Sequence, residues 1–157
     1  MREKIQFPLI EWIKENNQLR QFKDTQIELF FDSENSEKIF EVIKENDKKF
    51  SRILFEILSG RYNDEFYRKE DISDKSEYTT AMKFHGGKIG KKKGLNIRLY
   101  CKEYFKSPEN HKDKRIIVVQ VVEHKKDMDK KLRNFINTLG NYEYQFGNTE
   151  GENGSKT

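Results

Sequence analysis

The segment Arg115-Ile116-Ile117-Val118-Val119-Gln120-Val121-Val122 constrains this chain more than any other. Six of its eight residues are β-branched and apolar, side chains with restricted rotamers that pack well on a pleated surface. They do not alternate with polar residues, so an extended segment here must bury both faces, the pattern of a mid-sheet strand.

The neighbouring pattern supplies further elements. Gln26 to Phe31 alternates, with Ile27, Leu29 and Phe31 on one side, and reads as a strand. Asp32-Ser33 offers turn and capping residues, and Ser33 or Ser36 can serve as the N-cap of a helix. Ile39, Ile43, Phe50, Leu54 and Leu58 recur at helical spacing, broken at Asn46-Asp47 into two helices and stopped by Gly60. Residues 61–77 are polar and turn-rich. Tyr78 to Phe84 reads as a strand, His85 to Gly94 as a glycine-containing loop, and Leu95 to Tyr104 as a second alternating strand. Lys106 to Lys114 reads as a hairpin loop. Met128, Leu132, Phe135, Ile136 and Leu139 form a helical stripe ended by Gly140.

The expected fold is therefore α+β: an antiparallel-rich small sheet of about four strands, packed by two N-terminal-side helices and a C-terminal helix. Residues 1–24 read as an N-terminal helical extension opened by Pro8, residues 25–146 as the domain, and residues 147–157 as a disordered tail. At 157 residues the chain suits one domain.

The formal net charge of +4 conceals its distribution. Residues 82–133 carry 16 basic and 6 acidic side chains, whereas residues 34–81 carry 9 and 12. A basic excess gathered into one third of a chain points to a polyanionic partner, although a solvated lysine-rich face has the same composition. The lone Cys101 excludes a disulfide framework and shares an apolar strand face with Ile97 and Leu99, so it reads as a small buried hydrophobe. Nothing near Met1 resembles a signal peptide and no stretch is long enough to span a bilayer, which makes a reducing cytoplasm the expected compartment, with no membrane partner.

Familiar catalytic templates are absent: there is no phosphate loop ending in GKS or GKT, no HExxH, no CxxC and no GxSxG. His85, His111 and His124 have no metal-ligand spacing. The stronger constellation is Arg98, on the polar face of its strand, with the exit His124-Lys125-Lys126 of the apolar strand. If the two strands pair, one sheet surface is expected to carry guanidinium, imidazole and ammonium groups. Such groups stabilise charge on phosphorus-bound oxygens and protonate a leaving 5′-oxygen without a metal or other cofactor. The alternative for Arg98 is an ion pair, with Glu123 or Glu103, and for His124 a solvated strand end. Lys125 and Lys126 read as phosphate contacts, since an ordinary lysine keeps its proton at neutral pH. Tyr142, Tyr144 and Phe146 either stack bases or cover the sheet.

The segments Asn96-Ile97-Arg98-Leu99-Tyr100 and Ile116 to Val122, leading to His124-Lys125-Lys126 and a helix, resemble the RelE/ParE toxin superfamily, closest to its RelE and HigB ribonucleases. The resemblance covers roughly residues 25–146 and includes the order strand, two helices, three strands, helix. It implies a toxin that cleaves mRNA, on the ribosome or free, and is restrained by a cognate antitoxin protein. It places catalysis on Arg98 and on Lys126 or Lys125, nucleic-acid contacts on Lys83 and Lys88, and the family's late tyrosine on Tyr142 or Tyr144; the residue pattern itself adds His124 to the catalytic set and Lys91, Lys92, Lys93, Lys125 and Tyr144 to the nucleic-acid contacts. The chain departs from the family's pattern in having lysine where a second arginine is expected, a longer loop from His85 to Gly94, and the N-terminal segment. A gyrase-inhibiting, ParE-like toxin and a non-catalytic nucleic-acid-binding module are the alternatives.

Overall fold

The computed structural model of the protein describes residues 1–61, 63–70, 78–105, 114–124, 130–144 and 146. In chain order its elements are β1 (Lys4–Gln6), α1 (Leu9–Glu15), β2 (Glu28–Asp32), α2 (Ser36–Glu45), α3 (Asp47–Leu58), β3 (Tyr67–Lys69), β4 (Thr79–Ile89), β5 (Lys92–Phe105), β6 (Arg115–His124) and α4 (Lys130–Gly140). The six strands form one mixed sheet in the order β1-β2-β6-β5-β4-β3. Strand β2 runs parallel to β6, and the other pairings are antiparallel.

The valine-isoleucine run is the interior strand β6, flanked by β2 and β5. Ile117 and Val119 join the main core beneath α1, α2 and α3. Ile116 and Val118 pack on the opposite face with Phe30 and Tyr144. On that second face, Ile136 and Leu139 of α4 cover Ala81 and Tyr100. Both faces are thus covered, which is why the strand dispenses with polar alternation.

The sheet has six strands where about four were expected. The two additions, β1 and β3, are three-residue strands at the two edges. Segments that short, Lys-Ile-Gln and Tyr-Arg-Lys, carry no readable period; a neighbour's backbone makes them strands. Residues 1–24 contain the expected helix, α1, and also insert Phe7, Leu9, Ile13 and Leu19 into the main core.

The expected loop from His85 to Gly94 is instead a continuous β4–β5 hairpin. Its register slips between Phe84 and Gly87, where Gly86 takes a φ of 64°, the behaviour of a bulge. The chain reverses at Gly90-Lys91, with Gly90 at a φ of 60°. Gly87 is closely approached: a Cβ there would lie 2.8 Å from Ile97 Cδ1 and 3.2 Å from Asn46 Oδ1, so a side chain requires both to shift. That close approach brings the hairpin onto the α2–α3 junction. Asn46 Nδ2 donates to the Lys88 carbonyl at 2.9 Å, and Lys88 N–H donates to Asn46 Oδ1 at 2.9 Å. The residue read as a helix break is therefore also a clamp on the hairpin.

At the other end of the sheet, Lys102 Nζ donates to the carbonyls of Gly140 and Tyr142 at 3.0 and 2.9 Å, closing the C-terminus of α4. Among the described residues no helix is long and apolar enough to cross a membrane.

Candidate nucleic-acid interface

Strand register decides which side chains share a surface, because directly opposed residues of an antiparallel pair project from the same face. Arg98 is opposed by Lys83 on β4 and by Glu123 on β6. His124 is opposed by Ile97, a buried member of the α1–α3 core. The single surface expected to carry Arg98 and His124 together is therefore not formed. Neighbours along a strand point to opposite faces, and His124 falls in the row of Phe84 and Ile97. The row that contains Arg98 is Lys83, Arg98, Glu123.

Arg98 is not a solvent-facing cation. It is 7% exposed, and its Nη1 lies 2.7 Å from Oε1 of Glu70, itself 3% exposed. Arg68 Nη2 approaches the other carboxylate oxygen of Glu70 at 3.5 Å. Arg98 is thus in an ion pair, the alternative weighed for it, but a buried one with Glu70 rather than a surface pair with Glu123 or Glu103. Glu103 is used elsewhere: it accepts from the Tyr67 hydroxyl and lies 3.4 Å from Arg115 Nη1. Among the described residues, Arg98 Nε has no hydrogen-bond partner. The adjacent Tyr100 hydroxyl is held above the ordinary tyrosine range, first by burial, with Arg98 opposing that shift and Glu70 adding to it.

Tyr144 is 2% exposed, and its hydroxyl donates to Oδ2 of Asp32 at 2.7 Å. Asp32 also receives Arg2 Nε at 2.6 Å and Nη2 at 3.0 Å. Tyr144 is therefore the covering residue of the two alternatives, closing the C-terminal segment over β2, and its ring offers no free face to a base. Cys101 is fully buried, and burial pushes its thiol far above the usual range, so the thiolate nucleophile is suppressed.

The remaining cations are arranged differently. Lys88, Lys91, Lys92 and Lys93 are all exposed around the tip of the β4–β5 hairpin. Beside the Asn46 clamp, the exposed Lys48, Lys49 and Arg52 follow on α3. Across a cleft from these stand Lys83 and His85 of β4, with Phe66 between. Among the described residues Lys48, Lys49, Lys88, Lys91, Lys92 and Lys93 form no ion pair with an acid. The outcome is a basic strip running from the hairpin tip, past Asn46, to the open edge of β4. Lys125 and Lys126 lie outside the described residues.

Sequence reading missed Lys48, Lys49, Arg52 and Phe66. Their segment is acidic in sum, and only the spacing of Lys48 and Arg52, one turn apart on the polar side of α3, signalled a local basic surface. Glu70 was missed because its pairing with Arg98 depends on β3. Among the described residues no cluster of three or more His, Cys, Asp or Glu is assembled that could hold a metal ion. Comparison of the chain with protein-family models, with curated proteins and with solved structures finds no match to any of them.

Proposed function

We propose that this protein acts on RNA, as an endoribonuclease toxin of the RelE/ParE kind held in check by a cognate antitoxin. The observation that carries the RNA part is the basic strip: six exposed lysines on two elements, joined through Asn46, without an acidic partner among the described residues. Lysines that do not pair within the fold are available for phosphates, and they speed encounter with a polyanion. The sequence resemblance supports the toxin part; the order of elements from β2 to α4 differs from it by the additional short strand β3.

Cleavage would use the row Lys83, Arg98, Glu123. In-line attack by a 2′-hydroxyl needs a proton acceptor, compensation of charge on the phosphoryl oxygens, and a proton for the leaving 5′-oxygen. Glu123, half-buried at the end of β6, is the carboxylate of the row. Arg98 supplies fixed positive charge, with its orientation set by Glu70. Lys83, or Lys126 beyond the described segment, supplies the last proton. His124 enters this scheme only by reaching around the strand end.

The test is induced expression in a growing host, followed by RNA analysis. Growth arrest with fragmented mRNA is expected, and Glu123→Gln should lower cleavage by about 10²–10⁴-fold while RNA affinity is retained. Undiminished cleavage by that variant would remove the row from the mechanism. Arrest with intact RNA would instead indicate a protein target, as in a ParE-like toxin. One observation favours a non-catalytic second reading: the Arg98 guanidinium is already neutralised by Glu70. Salt-dependent RNA binding without cleavage would select it.

A further inference from the structure

Lys48 and Lys49 occupy the first turn of α3, where the helix dipole disfavours cations. Helix stability does not explain two lysines at that end. Together with Arg52, Phe66, Lys83 and His85 they line a cleft of about 260 Å³. Among the described residues every ionisable side chain lining it is basic.

Two of these side chains and the backbone of a third residue are held in place. The Arg52 guanidinium lies 5.0 Å from the Phe66 ring centroid and pairs with Glu56 at 3.1 Å. His85 Nε2 is 2.7 Å from the Glu65 carbonyl oxygen, an atom that can only accept, so Nε2 carries the hydrogen and the ring is oriented. Lys83 N–H donates to the Phe66 carbonyl at 2.9 Å, fixing the edge of β4 against the segment that carries the aromatic ring. A basic lining of this density suits a dianion better than the single charge of an internal phosphodiester. A phosphate monoester is close to dianionic at neutral pH. The volume is below the roughly 300–1,000 Å³ of drug-sized sites, enough for a phosphoryl group with part of its sugar.

We propose that this cleft binds the terminal phosphate monoester of an RNA strand whose following nucleotides run along the lysine hairpin. The proposal rests on the RNA-binding reading and gives the cleft, which adjoins the Arg98 row at Lys83, a further role, that of an end-recognition site.

Three short 2′-O-methyl oligoribonucleotides of one sequence, which lack the attacking hydroxyl, provide the test. They carry a 5′-phosphate, a 3′-phosphate, or hydroxyls at both ends, and affinity is read by fluorescence anisotropy on the full chain. One phosphorylated strand should bind about tenfold tighter than the hydroxyl strand, the equivalent of one charge-assisted hydrogen bond, and which of the two does so identifies the end that is recognised. In Lys48→Gln/Lys49→Gln, which also removes two lysines of the strip, all three strands should bind more weakly, and the advantage of the phosphorylated strand over the hydroxyl strand should vanish. Equal binding of all three strands, or an advantage that survives in the double variant, overturns the end site while leaving RNA binding intact. Failure of every strand to bind overturns the RNA reading and the end site together.

Discussion

Arg98 and the lysines at the hairpin tip belong to the same two paired strands, yet they are opposite kinds of cation. Arg98 is buried against Glu70 and fixed in direction, whereas Lys88 and Lys91 to Lys93 are exposed and unpaired among the described residues. The first contributes through local geometry and is coupled to folding. The second group contributes through long-range attraction that salt screens. A count of positive charges in residues 82–133 merges the two, although only the second is free for a polyanion without rearrangement.

The contrast is broken most directly at Arg98. Arg98→Ala leaves the buried Glu70 with only the part-exposed Arg68 at 3.5 Å and should lower unfolding free energy by up to about 3–5 kcal/mol, measured by urea denaturation. Arg98→Met/Glu70→Met should lie much closer to wild type. If the single variant is as stable as wild type, the ion pair is not structural. For the same reason, loss of toxicity in Arg98→Ala alone does not separate chemistry from folding.

Alkaline titration extends the comparison to the other buried polar groups. Burial raises the hydroxyls of Tyr67, Tyr100, Tyr104 and Tyr144 above the ordinary value of 10.0. Below that value both states hold the proton; above it the unfolded chain releases protons that the fold retains, so stability falls as pH rises past 10. Phenolate absorbance from these four side chains should appear together with unfolding rather than before it. Early titration of all four would show them open to solvent.

Asn46→Ala probes the seam between the two kinds of region. It removes the clamp on Lys88 and should cost about 1–3 kcal/mol, with amide exchange at Lys88 accelerating before the rest of β4. Uniform exchange across β4 would mean that the hairpin does not depend on the clamp.

The smallest effect on stability is expected at the tip. Lys91→Gln/Lys92→Gln/Lys93→Gln should leave unfolding free energy within about 0.5 kcal/mol. The slope of log affinity for single-stranded RNA against log salt should become shallower by about 0.7 for each phosphate that the tip no longer neutralises. An unchanged slope would show that the tip does not touch the phosphate chain.

Much of the fold was legible because its signals are local. The Ile116 to Val122 run, the Asn46-Asp47 break and the Gly60 stop each follow from side-chain shape or backbone freedom within a few residues. β1 and β3 were not legible, since a three-residue edge strand is defined by its partner. The hairpin was misread as a loop because Gly86 and Gly87 are turn formers by themselves, and only the approach of Ile97 and Asn46 makes them a bulge. In the candidate site, Lys91 to Lys93 were legible from charge alone and Lys88 from the resemblance, whereas the separation of Arg98 from His124 required the register.

The sequence by itself determined that the chain buries an apolar central strand between helices and carries a concentrated positive charge, since hydrophobic pattern and net charge are sums over local residues. Tertiary structure alone decided which cations remain available. A one-residue difference in register turns a side chain to the other face of a sheet, and it set Glu123 rather than His124 opposite Arg98. Glu70, 28 residues earlier in the chain, was brought to Arg98 by the β3–β4 pairing. Lys48, Lys49 and Arg52 were brought by helix packing to the same cleft as Lys83 and His85, basic side chains distant in sequence.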